Sequence, residues 1–404
     1  MAAPVLPEDQ VDRENAGGTI VLVVLDGLGG LPHPETGRTE LETARTPNLD
    51  ALATRASLGM LTPVAPGITP GSGPGHLSLF GYDPREMVIG RGALSALGVG
   101  MELDAGDVAA RLNLATFDDQ GRVQDRRAGR PSDDDGRRIV ERLVGAVEMP
   151  EDVRLDLVHE KEHRVVLRLR GPGLDAELTD TDPLVEGVPA LACEATDPGS
   201  ERTAELVRSF LDQSRRILAD EPAANGFLAR GFACFRRIPT QEERFGLRGV
   251  AVAKYPMYRG VARMVGMDVG PVPGSTAATL DSLEEVWGKY DLYFVHFKDT
   301  DTRGHDGDFD GKVAAIEEVD ALVPRITALD PDVIIVTGDH STPTLLKEHS
   351  WHPVPTLMAS RVARPTASSF GENMCRGGDL GEFHGTALIS HALAHAGRLI
   401  KYGA

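Results

Sequence analysis

Three short apolar runs, each closing on an acid, set the strongest limit on how this chain can fold. "GTIVLVVLDGLGG" (Gly18–Gly30) closes on Asp26, "DLYFVHFKDTD" (Asp291–Asp301) on Asp299 and Asp301, and "DVIIVTGDHS" (Asp332–Ser341) on Asp339. Continuous apolar runs of this length suit strands buried on both faces, which are typically parallel strands covered by helices. Helical spacing lies between the runs. "TPNLDALATRA" (Thr46–Ala56) reads as a helix with Thr46 as N-cap and Pro47 at the first helical position. "DGKVAAIEEVDALVPRIT" (Asp310–Thr327) sets Val313, Ile316, Val319 and Val323 on one stripe. Strand, helix and strand in alternation predict an α/β domain with a mostly parallel central sheet flanked by helices.

The middle of the chain breaks that pattern. "LATFDDQGRVQDRRAGR", "DVRLDLVHEKEHRVVLRLRG" and "FACFRRIPT" alternate or form short strands around turns, and "ERTAELVRSFLDQSRRILAD" (Glu201–Asp220) is an amphipathic helix. We therefore expect a smaller α+β domain, residues 93–245, inserted between the halves 18–92 and 246–404 of the α/β domain. Residues 1–17 are expected as a flexible N-terminal arm. The glycine-bearing segments Gly90–Leu94 and Arg244–Gly249 are the expected hinges.

The formal net charge of −19 argues against binding the phosphate backbone of nucleic acid or an anionic membrane surface. A small anionic substrate still fits if cations are gathered locally. No apolar run approaches the roughly 18 residues of a membrane span. "MAAPVLPEDQVDREN" lacks the basic start and apolar core of a secretory signal. Cys193, Cys234 and Cys375 are odd in number and lack metal-type spacing, which suits reduced thiols in a cytoplasm.

In open parallel sheets, ligands gather outside the carboxyl ends of the strands. Asp26, Asp301 and Asp339 are delivered to that edge. A single acid there commonly caps a turn; three acids, two with nearby histidines, point to metal. "DTRGH" sets Asp301 and His305 four apart, Asp339 and His340 are adjacent, and "HSWHPVP" adds His349 and His352. Carboxylate with imidazole suits Zn²⁺ or Mn²⁺ better than Ca²⁺ or Mg²⁺. With Ser72 the donors suffice for two metals, an arrangement that stabilises both attacking and leaving oxygens in phosphoryl transfer. "GITPGSGPGHLSLFGYDP" (Gly67–Pro84) puts Ser72 at the end of a glycine-rich loop and the start of a helix, where anions are favoured. A metal there would lower the hydroxyl pKa and make a nucleophile.

Taken together, "VVLDGLGG", "ITPGSGPGHLSLFGYDP", "DTDTRGHDGD", "VTGDHSTP" and "HSWHPVP" resemble the alkaline phosphatase superfamily. Within it the chain most resembles the archaeal-type 2,3-bisphosphoglycerate-independent phosphoglycerate mutases. The likeness extends through "GRGALSALGVGMEL", "GDVAARLNLAT", "DRRAGR", "LTDTDPL" and "GLRGVAVAKYPMYRGVARMVGM". It implies an alkaline-phosphatase-like core and metal-dependent interconversion of 3- and 2-phosphoglycerate, a step of glycolysis and gluconeogenesis. The implied intermediate is a phosphoserine between two divalent metals. Mn²⁺ is the first choice, with Co²⁺, Zn²⁺ or Mg²⁺ as alternatives, and 2,3-bisphosphoglycerate is not a cofactor.

Carried over by motif, Asp26, Ser72, Asp339 and His340 would hold one metal, and Asp301, His305 and His349 the other. His349 is preferred to His352 because the family pattern is His, three residues, then Pro-Val-Pro; His352 would lie beside the site. Asp301 is preferred to Asp299 for its spacing to His305. Lys254 in "AVAKYP" matches a lysine near the phosphoserine. After the serine the chain reads "SGPGH", where archaeal members carry an acid and a small polar residue. The inserted domain would bind phosphoglycerate through Arg126, Arg127 and Arg130 beside Asp125, Arg230 in "LARG", and His163 in "EHR". Arginine suits this task because it grips phosphate and carboxylate bidentately. The expected partner is small-molecule phosphoglycerate, and the sequence leaves a homo-oligomer open. The competing readings are a metal-dependent phosphatase, a mutase of another small phosphorylated metabolite, and a non-enzymatic phosphometabolite binder.

Overall fold

The first apolar run forms β1 (Ile20–Leu25), buried along its whole length, in a computed structural model that describes residues 6, 8–14, 17–87 and 90–403. β2 (Ala56–Thr62) follows. Five strands come from the middle of the chain: β3 (Val108–Phe117), β4 (Val123–Asp125), β5 (Arg154–Lys161), β6 (Arg164–Arg170) and β7 (Gly226–Cys234). The last six are β8 (Gly249–Val252), β9 (Asp268–Val269), β10 (Leu292–Phe297), β11 (Val333–Thr337), β12 (Val354–Ser360) and β13 (Gly381–His384). The chain divides into two units, Met1–Val88 with Pro239–Ala404, and Ile89–Ile238.

The first unit holds an eight-stranded sheet in the order β13-β2-β12-β11-β1-β10-β8-β9. Its pairs are parallel except for β11 with β12 and β12 with β2. Burial on both faces explains the continuous apolar runs. Val21 and Val23 of β1 pack in one core with Leu49 and Leu52 of the helix Pro47–Ala53 and Ile316 and Val319 of the helix Phe309–Asp320. Each such side chain contributes about 1.5–3 kcal/mol through its removal from water. The helix expected over 46–56 stops at Ala53, because Ala56 already pairs with Ala359 in the sheet. The helix expected over 310–327 is two helices, Phe309–Asp320 and Val323–Ala328. Pro324 has no N–H to continue the first and is tolerated in the opening turn of the second.

The second unit holds a five-stranded antiparallel sheet, β4-β3-β6-β5, with β7 on the other side of β3. Leu112 and Leu114 of β3 share a core with Ile139 and Leu143 of the helix Asp133–Leu143 and with Val207 and Phe210 of the helix Glu201–Ile217. The joins read from the sequence, at 92/93 and 245/246, fall inside the helix Arg91–Gly98 and directly after the helix Gln241–Phe245. Of the segments expected as hinges, Arg91–Leu94 is helix, whereas Gly246, Leu247 and Arg248 join the helix Gln241–Phe245 to the start of β8.

The described part of the expected N-terminal arm is docked on the first unit. Val11 is buried and bridges Leu399, the Asp12 amide donates to the Arg398 carbonyl, and the Arg13 guanidinium donates to the Glu243 carbonyl at 2.6 Å. Residues 1–5, 7, 15 and 16 lie outside the described residues. Among the described residues no helix is long and apolar enough to cross a membrane. The three cysteines are free thiols.

Candidate active site

The parallel register sets the chemistry at one edge of the large sheet. Leu25 pairs with Phe297 and Val24 with Thr337, so Asp26, Lys298 and Asp339 all leave at the carboxyl ends of neighbouring strands. Asp26, Asp339 and His340 are fully buried and bring one ligand atom each within 4.8 Å of one another. Asp301, His305 and His349 form a second group by the same measure. Ser72 is the first residue of the helix Ser72–Leu79, and its Oγ stands 3.2 Å from His340 Nε2. The glycines around Ser72 have a reason: a Cβ on Gly75 would run into the Asp339 carbonyl, so only glycine lets this helix lie against the Asp339 loop. Gly27, at φ +65°, turns the chain after Asp26 and donates its amide to Asp339 Oδ1 at 3.2 Å.

The three histidines of these groups are oriented alike. His349 Nδ1 is 2.8 Å from the Pro70 carbonyl and His305 Nδ1 is 3.1 Å from the Lys347 carbonyl. A carbonyl can only accept, so each Nδ1 carries the proton. His340 Nδ1 is 3.0 Å from Thr342 Oγ1, whose own proton goes to Asp301 Oδ1 at 2.7 Å. That leaves His340 Nδ1 as a donor too. All three Nε2 atoms therefore present a lone pair. His340 Nε2 faces Asp26 Oδ1 at 3.4 Å and Asp339 Oδ2 at 3.2 Å; His305 and His349 face Asp301 Oδ1 at 3.5 and 3.6 Å. Asp26 Oδ1 and Asp339 Oδ2 are buried yet accept no hydrogen bond. Lone pairs aimed at carboxylate oxygens repel unless a cation lies between them. This fixing of Nδ1 by a carbonyl or hydroxyl is the usual support of a metal-binding imidazole. The donor set fits two divalent cations.

The charges agree. Burial would push the Asp26 carboxyl up, but the hydrogen bond from His296 and the charge of Lys298 hold it well below the usual carboxylate range. Burial lowers His340, which keeps it neutral and able to coordinate.

Four neighbours escaped the sequence reading. His296 Nε2 is 3.1 Å from Asp26 Oδ2, and its ring stacks on Tyr258 at 3.7 Å between centroids. His76, one turn after Ser72, is fully buried with Nδ1 2.8 Å from the Ser72 carbonyl and 3.2 Å from Asp339 Oδ2. Lys298 Nζ meets Asp301 Oδ2 at 2.5 Å and Asp26 Oδ2 at 3.2 Å. Lys312 is completely buried and donates to the carbonyls of Gly27, Gly29 and Thr342, tying the two ligand-bearing loops together. The remaining candidates lie outside both groups. Lys254 is exposed beyond the end of β8 and donates to the Gly274 carbonyl. Asp299 is exposed and accepts from Thr276 at 3.4 Å. His352 stacks on Trp351, with Nδ1 3.1 Å from Ser350 Oγ.

The second unit carries the opposite charge. A cavity of about 350 Å³ is lined by Arg91, Arg111, Arg126, Arg127, Arg130, Arg164 and Arg230, with Lys161 and His163 and two acids, Glu162 and Asp180. Strand register gathers several of these: Arg111 pairs with Arg230, and Asn113 with Arg164. Asp125 faces its own turn, accepting the amides of Arg127 and Gly129 at 2.7 Å, and so shapes the loop that carries the arginines. Arg126 is bidentate to the buried Asp182, which also takes Arg230 at 3.2 Å. Among the described residues no carboxylate comes within 4 Å of Arg91, Arg111, Arg127, Arg130 or Arg164. Burial lowers the Arg111 pKa, helped by Arg164, Arg91 and Arg230. Burial, with the charges of Arg164, Arg127 and Arg130, pushes His163 down to about 4. Seven arginines against two lining acids, Glu162 and Asp180, leave the cavity with an excess of positive charge suited to an anion.

The chain is similar to known proteins along most of its length. The family model described as 2,3-bisphosphoglycerate-independent phosphoglycerate mutase matches residues 53–224. A probable 2,3-bisphosphoglycerate-independent phosphoglycerate mutase of Thermus thermophilus is 52% identical over 389 residues, 95% of this chain and 96% of that one. One of the same description from Deinococcus radiodurans is 50% identical over 392 residues, with the same coverage. A solved structure of a cofactor-independent phosphoglycerate mutase from Thermoplasma acidophilum is 30% identical with a TM-score of 0.74, covering 94% of this chain and all of that one. A protein of Pyrococcus horikoshii is 31% identical with a TM-score of 0.81, covering 96% and 100%.

Proposed function

We propose, starting from the fact that the chain belongs to the 2,3-bisphosphoglycerate-independent phosphoglycerate mutases, that it interconverts 3- and 2-phosphoglycerate by passing the phosphoryl group through Ser72. The observation that carries the proposal is the shared orientation of His305, His340 and His349. Their Nε2 lone pairs converge on three buried or nearly buried acids, with the Ser72 hydroxyl 3.2 Å from one of them. We assign one divalent cation to Asp26, Ser72, Asp339 and His340, and a second to Asp301, His305 and His349. Mn²⁺ is the first choice for this mixed set, with Co²⁺, Zn²⁺ or Mg²⁺ as alternatives. Bound there, the two cations supply Lewis acidity: they acidify the Ser72 hydroxyl and offset charge on the phosphoryl oxygens.

The chain's own residues do the rest. The helix beginning at Ser72 turns its amides toward the anion. Ser72 Oγ gives its proton to solvent and attacks phosphorus, and the sugar-acid oxygen leaves, taking a proton from solvent. The same hydroxyl group then returns the phosphoryl to the neighbouring oxygen of the glycerate. Arg111, Arg127 and Arg130, which have no acid of their own, take the phosphate or carboxylate of phosphoglycerate, while Arg126 and Arg230 are held in place by Asp182. We assign Lys254, which follows β8, to the anion as a further cation. Free thiols suit a cytoplasmic setting.

The test is to incubate metal-loaded protein with 3-phosphoglycerate while following 2-phosphoglycerate and free phosphate together. The mutase reading expects 2-phosphoglycerate with little free phosphate. Stoichiometric free phosphate without the isomer would make the protein a phosphatase.

A further inference from the structure

Lys298 is the residue that neither ligand group uses. It follows β10 directly, its side chain is 20% exposed, and its ammonium bridges Asp26 and Asp301. Those acids belong to different donor groups, so one cation spans both halves of the site. The Tyr258 ring lies below it, with Nζ 5.5 Å from the ring centroid.

A charge count gives this bridge a purpose. Asp26, Asp301 and Asp339 contribute three negative charges and the three histidines none. Two divalent cations bring four positive charges, which leaves one. Lys298 raises this to two, matching a phosphoryl monoester of about −1.5 to −2. The same ammonium cannot stay on two carboxylates that are coordinating dications, because like charges within a few ångströms repel strongly in a buried site. Its one open direction is the exposed face. Ser72 is near: its Oγ reaches Asp26 through His340 Nε2, in steps of 3.2 and 3.4 Å, and Lys298 Nζ is 3.2 Å from the other oxygen of Asp26.

We propose that Lys298 is the protein's own cation for the phosphoryl group in transit. It holds Asp26 and Asp301 together until divalent cations take those carboxylates, then turns its ammonium to the phosphoryl oxygens at Ser72. The proposal rests on the two-cation reading above. It predicts two effects of opposite sign. Removing the charge frees two ligand carboxylates, so metal binds more tightly. It also removes an anion contact, so phosphate binds more weakly.

The experiment uses the whole chain, stripped of metal and verified folded by thermal unfolding, as wild type, Lys298→Met and Lys298→Gln. Mn²⁺ is titrated calorimetrically, and inorganic phosphate is then titrated into the Mn²⁺-loaded proteins. In both variants the Mn²⁺ Kd should fall roughly threefold or more by relief of like-charge repulsion. The phosphate Kd should rise about 10–100-fold, as for a lost charge-assisted hydrogen bond. Unchanged phosphate affinity would overturn the proposal, and so would a parallel loss of both affinities, which marks a merely structural lysine. Failure of the wild type to bind two Mn²⁺ would instead sink the two-cation reading on which the proposal stands.

Discussion

The two units collect unpaired charge of opposite sign by different means. In the first, three acids and three histidines sit at strand ends, and carbonyls or a hydroxyl fix each imidazole so that bare lone pairs converge. In the second, arginines surround a cavity of about 350 Å³, and among the described residues only Arg126 and Arg230 of that set are paired, both with Asp182. The donor set of the first suits divalent cations such as Mn²⁺ or Zn²⁺, whose coordination tolerates little error in position. The second is a receptor for an anion, where long side chains can adjust. The proposed function gives the chemistry to the first and recognition of the phosphoglycerate to the second. Substitutions in the two regions should therefore fail differently.

The largest effect is expected at Ser72. Ser72→Ala should lower turnover by about 10⁴-fold or more, since a missing nucleophile has no substitute. It should also abolish transfer of labelled phosphate from substrate to protein while leaving the cation of Asp301, His305 and His349 in place. Labelling that persists would place the nucleophile elsewhere. Next comes the histidine pair. His349→Ala should cost more than about 100-fold, beyond what groups acting through a ligand usually cost, and His352→Ala no more than about tenfold. Comparable losses in the two variants would undo the assignment of the second cation.

A smaller and different loss is expected in the arginine cavity. Arg111→Gln should raise KM by about 10–100-fold, the worth of one charge-assisted contact to an anion, with kcat within a few-fold of wild type. A kcat loss at unchanged KM would move Arg111 from recognition to chemistry. The smallest effect concerns His163, held at about 4 against an ordinary 6.5. Between those values the unfolded chain takes up a proton that the folded chain refuses, so stability falls as pH drops through that window. His163→Gln removes this contribution, and its urea midpoint should fall less between pH 7 and pH 4.5 than that of wild type. Equal slopes would mean that His163 titrates normally in the folded protein.

What could be read from sequence follows the same division. The acids of the first unit are visible because continuous apolar runs mark buried parallel strands, and such strands deliver their next residue to a common edge. His349 could be chosen over His352 only through family likeness; the structure separates them by what each ring touches, Pro70 and Asp301 for one, Trp351 and Ser350 for the other. His296 and Lys298 stayed hidden because a run buried on both faces gives no alternation to say which side chain turns toward Asp26. His76 read as one more helix residue. In the second unit, Arg126, Arg127, Arg130 and Arg230 were read from "DRRAGR" and "LARG", whereas Arg111 and Arg164 join the set only through strand register. Pairing across antiparallel strands is set by the whole sheet, so no local motif announces it.

The central claim is that the two carboxylate–imidazole groups each hold one divalent cation that turnover requires. The direct measurement is Mn²⁺ content and turnover, followed together as metal-stripped protein is titrated with Mn²⁺, for wild type and His349→Ala. The account predicts no turnover without metal, recovery that completes at two Mn²⁺ per chain, and one tight Mn²⁺ remaining in the variant. Full turnover by protein shown by elemental analysis to be free of metal, or an unchanged two-Mn²⁺ stoichiometry in the variant, would contradict it.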